Sequence, residues 1–86
     1  MPTICIFFGI VIRMYYDEHA PPHFHAYYGG DSVAIEINTL QLRDGHLPKR
    51  AMALVLEWAQ EHREELMNDW QLAEKHRPLE NIAPLE

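Results

Sequence analysis

From Pro48 to about Lys75 the apolar residues recur at helical spacing, and this stretch most constrains what the chain can fold into. At about 100° per residue, Ala51, Val55, Trp58, Ala59, His62, Leu66, Trp70 and Ala73 fall on one face. Glu57, Gln60 and Glu64 fall on the opposite, solvated face. Pro48 suits the first position of a helix, where a missing N–H costs nothing. Lys75, His76 and Arg77 complement the helix C-terminus, and Pro78 stops it. The periodicity also admits a break into two helices near Asn68. A long helix with one apolar stripe needs another layer to bury it.

The first half of the chain supplies that layer. Ile4 to Phe8 and Ile10 to Tyr16 are rich in β-branched and aromatic residues, with Gly9 between them as a bulge or bend. Pro21 and Pro22 take the chain out of the sheet. His23 to Tyr28 and Ser32 to Ile37 read as strands joined by a tight turn at Gly29-Gly30, and Thr39 to Arg43 as a short further strand ending at Asp44-Gly45. The expected fold is one α+β domain over residues 1–86. It has a small antiparallel sheet of three to four strands (about residues 3–43), a long helix (about 48–75, whole or broken) packed on one face, and an extended tail carrying Leu79, Ile82 and Leu85.

Composition narrows the function classes. At 86 residues the core is small, so a homodimer or a partner chain is a natural way to gain burial. The apolar run Ile4 to Ile12 has no basic segment before it and stops at Arg13, too short to span a bilayer, so a buried strand is expected and no membrane. The lone Cys5 cannot form an internal disulfide, which fits a reducing, cytoplasmic compartment. A net charge of -6 disfavours general nucleic-acid binding, although Arg13, Arg43, Lys49 and Arg50 leave room for a local basic site.

The chemistry is concentrated in His19-Ala20-Pro21-Pro22-His23-Phe24-His25. Strand alternation puts His23, His25 and Tyr27 on one face and Phe24, Ala26 and Tyr28 on the other. Arg13 shares a face with Tyr15, and Val33, Ile35 and Ile37 oppose Ser32, Ala34 and Glu36. If the polar faces coincide, Arg13, Tyr15, His23, His25, Tyr27 and Glu36 gather on one surface. Three uses follow. His23 and His25, with His19 or Glu36, have the donor types for a divalent transition metal. Alternatively, with no cofactor, His23 and His25 supply acid–base chemistry on RNA, Arg13 contacts phosphate, and Tyr15 or Tyr27 positions the substrate. The third use is structural, with histidines bonding unpaired backbone groups or the face docking a partner. His62 reads as a core histidine, joining the cluster only if the helix covers the histidine-bearing face.

Several of these segments together resemble a family of uncharacterised bacterial proteins, domain of unknown function 4160. They are Met1-Pro2-Thr3-Ile4, Ile12-Arg13-Met14-Tyr15, Pro21-Pro22-His23-Phe24-His25-Ala26 with Tyr28-Gly29, Leu47-Pro48, Leu56-Glu57-Trp58 through His62, Leu66 to Trp70, and Ile82-Ala83-Pro84-Leu85. Members of that family are often encoded beside a second small protein of another family, domain of unknown function 2442, some of which carry a DNA-binding helix-turn-helix. The resemblance thus implies a toxin–antitoxin-type module with this chain in the toxin position. It transfers no catalytic residue.

Overall fold

The computed structural model describes residues 2–86; Met1, part of the opening motif, lies outside the described residues. Five strands form one antiparallel sheet in the order β1-β2-β3-β4-β5, a meander in which each strand pairs with the next. They are β1 (Thr3–Phe7), β2 (Ile10–Arg13), β3 (His23–Tyr28), β4 (Asp31–Glu36) and β5 (Leu42–His46), followed by α1 (Lys49–Glu61) and α2 (Arg63–Glu74). The α+β class stands as expected. Its details differ in three places, each with a local cause.

First, the opening apolar run makes a hairpin. Phe8 and Gly9 both have positive φ, at 49° and 78°, and Phe7 pairs with Ile10. Positive φ at both central residues is the pattern of a two-residue type I′ turn, whose twist suits flanking strands. Second, β5 runs through Asp44-Gly45 instead of ending there. At Gly45 (φ +80°) a Cβ would lie 2.1 Å from the Ser32 carbonyl oxygen, so glycine lets the edge strand approach β4. Third, the helical stretch breaks at His62 (φ −120°), not near Asn68. Glu64 and Glu65 then occupy the first turn of α2, where carboxylates favour a helix N-terminus.

The apolar stripe survives the break, because Ala51, Val55, Trp58 and Ala59 on α1 and Leu66, Trp70 and Ala73 on α2 are all buried. Trp58 packs 5.4 Å from the Phe7 ring and 6.0 Å from the Phe24 ring, so α1 covers the apolar sheet face. Ile10, Ile12, Met14, Ala26, Val33, Ile35 and Ile37 complete that core. Full burial of each large side chain contributes about 1.5–3 kcal/mol. The tail lies extended against the body: Ile82 N–H donates to the Ile4 carbonyl (2.8 Å) and the Trp58 indole N–H to the Ala83 carbonyl (2.8 Å). It shields the outer edge of β1 where Ile4 would otherwise present an unpaired acceptor. Among the described residues, no helix is long and apolar enough to cross a membrane.

Candidate functional site

The sheet register brings the polar faces together. Arg13 pairs with His25 across β2–β3, His25 with Ala34 across β3–β4, and His23 with Glu36. This face lies opposite the one that α1 covers, but α2 reaches its His23 end, where Trp70 of the core packs against the ring. Tyr15 follows β2 and reaches the same surface, with its hydroxyl 2.5 Å from that of Tyr27. The Tyr15 ring is 4.9 Å from His25, the two histidine rings are 5.2 Å apart, and the Arg13 guanidinium lies 5.2 Å from the centre of the Tyr27 ring.

Glu18 is the residue that organises this cluster, and it comes from outside the strands. The segment joining β2 to β3 contains a left-handed Asp17 (φ 65°) and a cis Ala20–Pro21 bond, and it returns Glu18 over the start of β3. Glu18 Oε1 lies 2.5 Å from His25 Nε2 and 3.2 Å from His23 Nε2. The other two candidates for a third ligand sit elsewhere. His19 is exposed, and Glu36 accepts a hydrogen bond from the Thr39 hydroxyl at 3.4 Å.

His23 is held more tightly than its strand position suggests, with 5% exposure. Its Nδ1 lies 2.9 Å from the Pro21 carbonyl oxygen, which can only accept, and 3.0 Å from Arg43 Nη1, which can only donate. With the hydrogen on Nδ1 the ring donates to Pro21, and with it on Nε2 the ring accepts from Arg43, which also donates to the Pro21 carbonyl at 3.4 Å. With the hydrogen on Nε2 that nitrogen donates to Glu18 Oε1; with it on Nδ1 the Nε2 lone pair faces Glu18 Oε1, an acceptor toward an acceptor. A cation between them, a proton or a metal ion, resolves the conflict. A ligating histidine whose other nitrogen donates to a backbone carbonyl is the usual outer-shell support of a metal site. Among the described residues, Glu18, His23 and His25 form the one group of three such side chains whose donor atoms lie within 4.8 Å of one another.

The electrostatics agree with a cation-seeking site. Burial pushes the Glu18 carboxyl up, but hydrogen bonds and charge from His25 and His23 outweigh it and hold the group below its ordinary value. Tyr27 is pushed up to about 12, by burial first and then by the Tyr15 hydroxyl, so it stays a neutral phenol. Trp70 closes the inner side, 5.3 Å from His23. A cleft of about 250 Å³ lined by Tyr15, Asp17, Glu18, Trp70 and His76 opens beside the cluster. Three of these, Tyr15, Glu18 and Trp70, contact the histidines, which lie behind them and do not themselves line the cleft.

His62 does not join the group. It packs 5.5 Å from Trp58 and contacts Glu65 through Nδ1, on the helical side of the sheet. His46 and His76 pair with Asp31 and Asp17 at the periphery. Sequence reasoning missed Glu18, and it named Arg43 only as part of a possible basic site, not as a neighbour of His23. The signal for Glu18 was weak: a carboxylate one residue before His19, in a segment with no periodicity.

Fold and site together define a class: a five-stranded meander backed by two helices, with a histidine–carboxylate cluster on the sheet face opposite α1. Within that class the chain belongs to the family described as domain of unknown function (DUF4160), whose model matches residues 9–71. The match takes in Arg13, Glu18, His23, His25 and Trp70. No curated protein and no solved structure matches the chain.

Proposed function

We propose that the chain is a small metal-binding protein in which Glu18, His23 and His25 hold one divalent transition-metal ion. The convergence of both Nε2 atoms on one Glu18 oxygen carries this reading. Imidazole nitrogens with a single carboxylate suit zinc, nickel or iron(II). Three protein ligands beside an open cleft leave coordination positions for water or substrate, the arrangement of a catalytic rather than a closed structural site. Such an ion supplies a water nucleophile near neutral pH. Around it Tyr15 and Tyr27 offer neutral hydroxyls, and Arg13 offers a fixed positive charge.

Untagged protein, stripped with chelator and titrated with zinc, tests this. One equivalent should bind and raise the melting temperature, because a ligand that binds only the folded state stabilises it. Binding well below one equivalent with an unmoved melting temperature refutes the proposal.

A second reading rests on Arg13 and Arg43. Every ion pair among the described residues has histidine as its cation, so both arginines flank the histidines with no carboxylate partner. In a chain of net charge -6, two such guanidiniums beside a Glu18–His25 pair suit an anionic phosphodiester. This supports a toxin-like, metal-independent ribonuclease, paired with a second small protein as the family resemblance implies. Cleavage of RNA by chelator-treated protein, lost in His25→Ala, favours it over the metal reading. Unimpaired growth on expression alone, at verified protein levels, counts against it.

A further inference from the structure

At the junction of α2 with the C-terminal tail, Asp69 is 1% exposed although its side chain is a carboxylate. Its Oδ1 accepts the Glu80 backbone N–H at 2.9 Å. Its Oδ2 is fully buried and has no hydrogen-bond partner among the described residues. A cleft of about 210 Å³ at this junction is lined by Asp69 together with Glu64, Glu65, Asn68, Glu80, Asn81 and Ile82. Burial raises the Asp69 carboxyl above its ordinary value, and the charges of Glu80 and Glu65 push in the same direction. A buried acceptor among like charges is relieved by a positive partner, a proton or a metal cation.

We propose that this cleft is a calcium site: Asp69 is its buried anchor, Glu65 and Glu80 close over the ion, and the bound ion locks the tail onto α2. The available donors are all oxygens, from the carboxylates of Glu64, Glu65, Asp69 and Glu80 and the Asn68 amide, which suits a hard cation and not the transition metals that imidazole attracts. Calcium fits better than magnesium, because it accepts irregular geometry and several carboxylates, whereas magnesium demands a near-ideal octahedron. The outer carboxylates must turn inward to bind. The Glu65 and Glu80 side chains are exposed, and Glu65 would release His62 to do so. The mechanical consequence follows from the chain path. Glu80 is two residues before Ile82, whose N–H caps the edge of β1, and three before Ala83, whose carbonyl receives the Trp58 indole. An ion bridging α2 and Glu80 therefore fixes the tail contacts that seal the core. This proposal is independent of the histidine cluster.

The test is thermal melting of the full chain, freed of metal by chelator, with millimolar calcium chloride against sodium chloride of equal ionic strength. Calcium should raise the melting temperature by at least about 4 °C. Asp69→Asn should abolish the response, and Glu80→Gln should weaken the apparent affinity at least about tenfold. His25→Ala should keep the full response, which separates this site from the other. Equal effects of calcium and the sodium control, or a full calcium response in Asp69→Asn, overturn the proposal. If Asp69→Asn fails to fold, the exposed Glu80→Gln decides, and an unchanged calcium affinity there overturns it as well.

Discussion

Glu18 and Asp69 are both carboxylates withdrawn from water, yet the protein moves them in opposite directions. Burial raises each one. Around Glu18 two imidazoles reverse the effect, so the group ends below its ordinary value. Around Asp69 the single Glu80 N–H is opposed by the charges of Glu80 and Glu65, and the group stays raised. Asp69 is also the deeper of the two, 1% exposed against 28% for the Glu18 side chain, so burial and neighbours act together. The contrast also separates the ligands that each region suits, nitrogen-rich and transition-metal-binding at one end, oxygen-only and calcium-binding at the other.

The sharpest way to break the comparison is to remove a nitrogen donor. His25→Ala should lower zinc affinity at least about 100-fold, equivalent to about 2.7 kcal/mol, in a competition titration. Glu18→Gln should lower it as well, because an amide oxygen carries no charge. A loss in either variant that calcium binding at Asp69 shares would erase the distinction between the two regions.

Next comes the carboxylate at the other end. In calcium-free buffer at neutral pH, Asp69→Asn should be more stable than the parent by about 1 kcal/mol, roughly 4–8 °C in melting temperature. The amide keeps an acceptor for the Glu80 N–H and removes the buried charge. Destabilisation instead would mean that the ionised carboxylate already has a compensating partner.

Acid titration of stability sharpens the contrast further. A depressed group contributes stability above its unfolded pKa and loses it as pH falls through the folded one. Glu18 should therefore produce a loss of stability below the ordinary carboxylate range, and Glu18→Gln should flatten it. A raised group does the reverse, being least unfavourable when protonated, so Asp69 should cost stability as pH rises past the ordinary carboxylate range toward its raised folded value. Urea melts across that interval, on the parent and the two variants, read both limbs. The smallest effect belongs to the tyrosine pair. Tyr15→Phe removes one hydrogen bond at a half-buried site and should cost about 1 kcal/mol in the same melts.

Much of this framework was legible in the residues themselves. Period-two alternation placed His23, His25 and Tyr27 on one side of the sheet and Phe24 and Ala26 on the other, and the register agrees. Helical periodicity named seven positions from Ala51 to Ala73 that are buried. These patterns are readable because burial imposes one period over many residues. Single-residue events were not. The Phe8-Gly9 turn sits inside an unbroken apolar run, so strand composition hid a hairpin. Glu18 reaches the histidines only because its loop folds back, a tertiary fact with no local period. Asp69 lies on the buried stripe between Leu66 and Ala73, where a pattern of apolar residues passes over an acidic one. Both carboxylates that define the contrast were invisible for that reason, whereas the histidines they answer to were not.

The most direct test of the central claim is crystallographic. Crystals grown with zinc and measured at its absorption edge should show one anomalous peak about 2.0–2.2 Å from His23 Nε2, His25 Nε2 and a Glu18 carboxylate oxygen. A zinc peak elsewhere, or none at those three atoms with zinc in excess, would contradict it.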